Sequence, residues 1–218
     1  MSKTDPSMPA RSLIVIPCSG RKRHELRIGL KWAPEQSAVA GLSASSASAL
    51  RAARHDLAAL LGLSEGADLG GNSKIQAALM PARERYDGNL YRRIDPALWP
   101  DPSLSGLEVV IVSALYGLLT PLEPIRHYDA WMDQKIGERI RLSRWWKQRS
   151  LGSMLAEYLA RSGAAVVHDF LSASYSVVGA DLDGLDGIEV VRHKYPGLGN
   201  GADFHRGQDV RNLMAGGA

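Results

Sequence analysis

Residues 12–16 have the sequence SLIVI, and residues 17–22, PCSGRK, follow them directly. A short run of aliphatic, largely β-branched residues that ends at a proline is typical of a buried β-strand. The abrupt change to polar and basic residues after Pro17 indicates a loop beyond the end of that strand. An apolar strand followed by a polar loop occurs again further along the chain. This repeated pattern decides the fold class.

Three more segments have the composition of buried strands. They are residues 108–113 (EVVIVS), 164–168 (AAVVH) and 187–192 (GIEVVR). Strands that alternate with helices favour an α/β fold with a mixed or largely parallel sheet covered by helices. We therefore expect a single α/β domain over residues 1–218, with residues 1–11 flexible.

Helices are predicted between these strands. Residues 46–61 carry leucine and alanine at helical spacing and end at Gly62. Residues 72–85 are predicted to form a shorter helix. Residues 133–161 are predicted to be mainly helical, as two helices that meet near residues 150–153.

Composition limits the class of protein. The 218 residues are 45% hydrophobic, which suffices for a core, and their formal net charge is only +3. Affinity for nucleic acid must therefore come from local clusters of basic residues. The single cysteine and the absence of an 18-residue apolar run indicate a cytoplasmic protein with no membrane association. No histidine spacing suits a metal, and no cofactor is expected.

Polar side chains that can bind or react follow three of the four predicted strands, within residues 18–24, 113–128 and 168–175. Ligands of open α/β sheets bind beyond the carboxyl ends of the strands, so parallel strands would bring these groups into one pocket. The candidate catalytic residues are Cys18, Lys22, His168, Ser172 and Tyr175. The candidate substrate-binding residues are Ser19, Arg21, Arg85, Ser113, Tyr116, His127 and Tyr128.

The loop after the first strand has two interpretations. Gly20 lets the backbone approach a ligand, Arg21 can bind a phosphate or carboxylate through two hydrogen bonds, and Lys22 adds a point charge. The two cations also favour a nucleophilic thiolate at Cys18. The alternative is a buried structural cysteine beside a solvated basic turn. The loop is not a Walker phosphate loop, because the glycine spacing is absent.

The other candidate residues also have alternative interpretations. Tyr116 can donate a hydrogen bond to a polar ligand, stack on an aromatic base, or only pack beneath the following turn. His168 and Asp169 can supply acid–base chemistry, or the histidine can be structural and hydrogen-bonded to the backbone.

A basic segment at residues 139–149 also contains Trp145 and Trp146. Basic side chains interleaved with aromatic ones can bind a phosphate backbone and unstacked bases. On a helix, however, these charges are distributed around much of the circumference, so we favour a solvated helix face with buried tryptophans. The candidate nucleic-acid-binding residues are Arg139, Arg141, Arg144 and Lys147.

Three blocks resemble the YaaA family, which is associated with bacterial peroxide stress. Residues 113–132, SALYGLLTPLEPIRHYDAWM, resemble its S-x-L-Y-G-x-L-x-P-L…Y…M block. Residues 81–91 (PARERYDGNLY) are similar to its segment that ends in G-x-V-Y, and residues 169–175 (DFLSASY) to its N-L-A-S-x-E-Y block. With weaker similarity between them, the blocks span about residues 12–214.

The resemblance implies a compact α/β fold, a cytoplasmic location and a role in limiting oxidative damage. It also implies DNA binding, which has been proposed for the family together with a helix-hairpin-helix-like element. That element would fall within residues 46–85, where no clear glycine-hydrophobic-glycine hairpin occurs. Residues 17–22 differ from the S-P-A-K opening of the family. They resemble the P-C-S-x-K-K signature in the core domain of archaeosine synthase, which modifies a deazaguanine base in tRNA.

Two hypotheses follow from the sequence. In the first, the chain is an enzyme, or an enzyme-derived pocket, whose ligand is a purine-like nucleobase or nucleotide. In the second, it is a non-catalytic DNA-binding protein that limits oxidative damage in the peroxide stress response.

Overall fold

The computed structural model describes residues 11–25, 27, 29–72, 74, 77–101, 106–137 and 140–216. The flexibility expected of residues 1–11 therefore concerns a segment that, apart from Arg11, lies outside the described residues. Among the described helices, none combines the length and the apolar character needed to cross a membrane.

The main sheet has four parallel strands and one antiparallel strand at its edge. The parallel strands are β1 (Ser12–Pro17), β3 (Leu107–Ser113), β8 (Val166–Asp169) and β9 (Glu189–Arg192), and the edge strand is β4 (Gly117–Leu119). The order across the sheet is β4-β3-β1-β8-β9. The predicted α/β fold with a largely parallel sheet is confirmed, and all four predicted strands are present.

The central position of β1 explains its unbroken apolar sequence. All six of its residues are buried, because neighbouring strands cover both its edges and other elements cover both its faces. Val15 lies opposite Val110 of β3 on one side and Asp169 of β8 on the other. The last residues of these three strands are thereby aligned at one edge of the sheet.

The helix predicted at residues 46–61 and the two helices predicted within residues 133–161 are present, with some changes of boundary. Helix α1 (Ala44–Leu60) begins after Ser43, whose side chain accepts a hydrogen bond from the backbone of Ser46, a common N-terminal cap. Helices α3 (Leu142–Gln148) and α4 (Leu151–Ser162) follow later in the chain. The break between α3 and α4 lies close to the predicted one.

The helix predicted over residues 72–85 is mostly wrong. Residues Leu79–Pro81 form strand β2, which pairs with β5 (Pro124–Arg126), and only Ala82–Arg85 are helical, as α2. Pro81 accounts for the difference, because a proline disfavours the helical conformation of the residue before it. Residues 73, 75 and 76 lie outside the described residues.

The helix predicted from residue 133 begins late. Residues Lys135–Ile136 (β6) and Ile140–Arg141 (β7) pair as a small antiparallel ladder, and α3 begins only at Leu142. Gly137 lies between the two strands with φ +58°, a left-handed conformation that glycine adopts easily and that interrupts a helix.

The remaining helices follow β8 and β9. Helix α5 (Ser176–Gly179) follows the polar residues at 168–175, and α6 (Ala202–Gly216) is the last described element. The α6 helix packs against the turn Tyr91–Arg93. This contact brings the C-terminal segment to the same end of the sheet as the loop after β1.

A buried ion pair joins α1 to the turn between β4 and β5, and the same arginine holds the β3–β4 hairpin. Nη1 of Arg54 lies 2.7 Å from Oε1 of Glu123, and both side chains are inaccessible to solvent. The same guanidinium donates to the carbonyl oxygens of Tyr116 (2.8 Å) and Leu118 (2.6 Å). Arg54 therefore fixes the position of the hairpin that carries Ser113 and Tyr116.

Candidate functional site

The sheet reverses its connection order between β1 and β8. The chain leaves β1 for β3 on one side of it, then passes to β8 on the other side. In open α/β sheets, the crevice beyond the carboxyl ends of two such strands is where ligands bind. Residues after β1, β3 and β8 meet there, as their parallel alignment requires.

Cys18 lies in this crevice and contacts both neighbouring strands. Its Sγ is 3.1 Å from the hydroxyl of Tyr175, which follows β8, and 3.4 Å from the backbone N–H of Ala114, which follows β3. The backbone N–H of Cys18 donates to the carbonyl of Val112. The thiol is only partly buried. We call this the Cys18 site and define it by Cys18, Lys22, Tyr86, Ser113, Tyr128 and Tyr175.

Lys22 is a nearly buried cation with weak hydrogen bonds. Its side chain is 7% exposed, and its ammonium lies 4.1 Å from the centroid of the Tyr128 ring. Nζ donates to the carbonyls of Gly20 at 3.3 Å and Ala130 at 3.5 Å. Burial lowers the pKa of Lys22, and the nearby Cys18 and Asp129 only partly oppose this effect. Lys22 is therefore poised to give up its proton more easily than an exposed lysine.

Three buried hydroxyls form a closed network beside the lysine. Tyr86 and Tyr128 lie 2.9 Å apart, and Oγ of Ser113 lies 3.2 Å and 3.0 Å from their oxygens. Burial raises the pKa of both tyrosines well above the usual value, so both hydroxyls stay protonated. Because these groups satisfy one another, they position the Tyr128 ring beneath Lys22.

Tyr116 belongs to a second buried network. Its hydroxyl donates to Asp68 (2.7 Å) and accepts from the backbone N–H of Arg126 (3.1 Å). The guanidinium of Arg126 is itself paired with Asp68. The ring is fully buried and packs edge-on against Tyr128, at 5.8 Å between centroids. In this structure the hydroxyl of Tyr116 is thus occupied within the protein.

The loop after β1 is held against the segment that follows α2. Lys22 and Tyr86 form an antiparallel bridge, and the N–H of Asp87 donates to the carbonyl of Arg21. Gly88 makes this close approach possible, since a Cβ at that position would lie 2.2 Å from Oγ of Ser19. A small cavity of about 60 Å³ remains between the two segments, and Cys18, Ser19 and Gly20 line it.

Other predicted site residues lie around this loop. Arg21 is exposed and its Nε is 3.2 Å from Asp87. Arg85 is fully buried and donates to the backbone carbonyls of Arg23 and Glu25. It therefore fixes the path of the chain beyond Lys22.

His127 lies on the same side of the loop. Its ring stacks on that of His24 with centroids 4.0 Å apart. Burial, and then the charges of His24, Arg85 and Lys22, lower the pKa of His127.

A larger cavity of about 760 Å³ lies beyond β8 and β9. Ser172 and Ser174 line it on the β8 side, and Arg206 of α6 lines it on the other. Arg206 pairs with Asp203, which itself lines the small cavity at Cys18. The first turn of α6 therefore borders both cavities.

His168 is separate from the Cys18 site. Its Nδ1 lies 3.2 Å from Nε2 of His193, beyond β9, and burial lowers the pKa of both rings. Asp169, the next residue, accepts from the guanidinium of Arg192 at 2.8 Å. The structure thus brings Cys18, Lys22 and Tyr175 together and leaves His168 among contacts of its own.

Two residues near the site were missed by the sequence analysis. Tyr86 lies within residues 81–91, which the sequence analysis used only for the family resemblance. Trp131 is 53% exposed, which is unusual for tryptophan. It follows Ala130, whose carbonyl accepts from Lys22, and precedes Asp133, which accepts from Ser174. The exposed indole was indistinguishable in sequence from the buried tryptophans.

The basic segment has the arrangement favoured from the sequence. Trp145 and Trp146 are buried, while Arg141, Arg144 and Lys147 are exposed. The tryptophans are therefore not available to stack on bases. Arg139 lies outside the described residues.

Within the described ranges, no group of three or more histidine, cysteine, aspartate or glutamate side chains could hold a metal ion.

Comparison with known families gives one match. The chain matches the family model described as peroxide stress protein YaaA over residues 13–197. No individual curated protein matches it. The match includes the loop after β1, the β3–β4 hairpin and the turn after β8, and so it covers every residue of the Cys18 site.

Proposed function

The chain belongs to the YaaA family of peroxide stress proteins, and from that premise we propose that its Cys18 site binds a purine-like nucleobase or nucleotide and acts on it as an enzyme. The observation that carries the proposal is the meeting of a thiol, a nearly buried amine and a tyrosine hydroxyl at the point where the strand order reverses. Groups with perturbed proton affinity in such a crevice are typical of functional sites.

Each of the three groups has a role in this proposal. Cys18 is the nucleophile, and the N–H of Ala114 together with the hydroxyl of Tyr175 stabilises negative charge that forms on or near its sulfur. Lys22, whose pKa burial lowers, donates or accepts a proton. Ser172 contributes from the border of the larger cavity, where the rest of the ligand is accommodated.

The chemical class of the ligand is supported by two further features. The loop Pro17–Lys22 is similar to the signature of the archaeosine synthase core domain, whose substrate is a deazaguanine base. The exposed ring of Trp131 offers an aromatic surface between Ala130, whose carbonyl accepts from Lys22, and Asp133, which accepts from Ser174. Aromatic rings of this kind bind bases by stacking, at about 1–3 kcal/mol per base.

Duplex DNA binding through Arg141, Arg144 and Lys147 is the competing proposal. The exposure of these three basic side chains favours DNA binding. Because Trp145 and Trp146 are buried, the segment would contact only the phosphates. Such binding must weaken steeply as salt increases.

The test uses the fact that the chain has a single cysteine. Alkylation by iodoacetamide then reports only on Cys18. We expect a bound base, nucleoside or nucleotide to slow alkylation and to raise the melting temperature, because ligands that bind the native state stabilise it. Cys18→Ser tests the requirement for the thiol through turnover of the ligand.

Lys22→Met supplies the second arm, with Lys147→Met as its control, since Lys147 is exposed in α3. The Lys22 variant should lose both the protection and the stabilisation, and the Lys147 variant should keep both. If saturating concentrations of bases, nucleosides and nucleotides leave the alkylation rate and the melting temperature unchanged, the proposal is wrong.

A further inference from the structure

A further cavity, of about 400 Å³, lies beside the segment that carries Tyr86 and Tyr91. We call it the arginine cavity. Its charged lining residues are Arg23, Arg27, Arg83, Glu84, Asp87 and Arg92. None of the residues assigned a chemical role in the Cys18 site, Cys18, Lys22 or Tyr175, lines it.

Positive charge in this cavity exceeds negative charge. Asp87 pairs with Arg92, at 2.7 Å, and with Arg23, at 3.6 Å. Arg27 pairs with Glu84. Arg83 has no ion-pair partner in the part of the chain that the structure describes. Four guanidinium groups against two carboxylates leave two positive charges that no acidic side chain of the lining neutralises.

This excess is large for a chain with a formal net charge of only +3. The hydrogen bonds from Arg92, and then the charges of Arg92, Arg23 and Arg21, lower the pKa of Asp87, so that carboxylate stays ionised. It holds the surrounding guanidinium groups close together. Arginine groups arranged in this way suit a phosphate, which accepts two hydrogen bonds from one guanidinium.

The uncharged lining of the cavity is aromatic and apolar. The rings of Tyr91 and Trp99 stack at 6.2 Å between centroids, with Ile94 and Pro96 beside them. A wall of this kind accommodates a sugar or a ring rather than a free inorganic ion. Guanidinium groups and aromatic rings that line one cavity together match a phosphate that is attached to a larger organic group.

The segment from Asp87 to Tyr91 separates this cavity from the Cys18 site. Tyr91 lines both the arginine cavity and the small cavity at Cys18, and its hydroxyl donates to the carbonyl of Pro17 at 3.0 Å. Tyr86 lines the arginine cavity, and its hydroxyl belongs to the network beneath Lys22. A ligand at Cys18 and a phosphate in the arginine cavity would therefore both lie next to residues 86–91.

We propose that the arginine cavity binds the phosphate group of a nucleotide. The inference rests on the proposed function for the identity of the attached base, but not for the phosphate contact itself. The phosphate can belong to a free mononucleotide or to a nucleic acid strand, and both present the same group to the arginines.

The experiment compares the affinities of one nucleoside, its 5′-monophosphate and a short single-stranded oligonucleotide of the same base. The wild-type protein should bind the monophosphate at least about tenfold more tightly than the nucleoside, as expected for one or two charge-assisted hydrogen bonds. The double variant Arg23→Gln/Arg83→Gln should lose this gain while its affinity for the nucleoside stays the same. Added salt should reduce the gain.

Arg141→Gln/Arg144→Gln is the matched control, because it removes the same charge from β7 and α3. It should keep the gain. Should Arg23→Gln/Arg83→Gln fold poorly by its melting temperature, Arg83→Gln alone replaces it, since its substitution leaves no described carboxylate without a partner. A further gain for the oligonucleotide assigns the phosphate to a strand, and no further gain assigns it to a free nucleotide.

The two proposals fail separately. Equal affinity for nucleoside and monophosphate, or a gain that survives loss of Arg23 and Arg83, overturns the phosphate site. Binding that needs these arginines without any protection of Cys18 from alkylation overturns the proposed function and leaves the phosphate site standing.

Discussion

Replacing Lys22 by methionine tests whether this lysine serves the fold or the ligand. Methionine has a similar length and no charge, so the variant removes the ammonium and largely preserves the packing. The ammonium contacts the Tyr128 ring at 4.1 Å and two carbonyls at 3.3 and 3.5 Å. We expect the variant to fold and to lose ligand binding.

The change in stability follows from these contacts. Loss of a desolvated cation–π contact costs about 1–2 kcal/mol, and loss of two long hydrogen bonds about 0.5 kcal/mol each. The variant no longer buries an ammonium, and it adds apolar surface to a nearly buried position. Together these two effects stabilise the folded state by about 1–3 kcal/mol. At neutral pH the free energy of unfolding should therefore stay within about 2 kcal/mol of the wild-type value.

Urea denaturation at several pH values gives the second measurement. Burial lowers the pKa of Lys22 in the folded state, so the unfolded chain binds more protons between that pKa and about 10.4. Wild-type stability relative to Lys22→Met should therefore rise as the pH increases through this range. A variant that loses more than about 3 kcal/mol at neutral pH, as on breaking a buried ion pair, or a difference independent of pH would refute the reasoning.

Three further predictions concern the surroundings of the site. Gly88→Ala should destabilise the protein by about 1–3 kcal/mol because its Cβ would lie 2.2 Å from Oγ of Ser19, and adding Ser19→Ala should recover most of the loss in urea denaturation. Stability should fall as the pH drops below about 6.5, because burial lowers the pKa of His168 and of its partner His193, and His168→Gln should flatten this dependence. Trp131→Ala should change stability by no more than about 0.5 kcal/mol, since the side chain is exposed, while reducing the thermal stabilisation by nucleosides.

The strands and their common edge could be predicted because hydrophobic runs report burial directly. The run from Ser12 to Pro17 is apolar along its whole length because both faces and both edges of β1 are covered. The polar residues after β1, β3 and β8 could then be assigned to one crevice, since the parallel order expected of an α/β chain is the observed one. The short antiparallel ladder at residues 135–141 could not be predicted, because strands of two residues are too short to show an alternating hydrophobic pattern.

Residue types could not predict which side chains of the site are available to a ligand and which are bonded within the protein. Ser113, Tyr116 and Tyr128 follow a strand exactly as ligand-binding residues do, and their hydroxyls are nevertheless bonded within the protein. Only the hydrogen-bond partners seen in the structure distinguish a hydroxyl that is bonded within the protein from one that is free to bind a ligand. Tyr86 belongs to the hydroxyl network through its contact with Tyr128, a tertiary contact that no local sequence pattern predicts.

Two buried cations in this fold differ in how completely the protein pairs them. Arg54 has a carboxylate partner at 2.7 Å and two carbonyl acceptors at 2.6 and 2.8 Å, so each of its three guanidinium nitrogens donates a short hydrogen bond. Lys22 has only long hydrogen bonds and no carboxylate within ion-pair distance among the described residues. A cation kept in a poorly solvated position without short bonds costs free energy that the fold does not recover. The burial of Lys22 is explained if its amine serves the reaction at Cys18, in the same way that strained or underpaired groups elsewhere are retained for function.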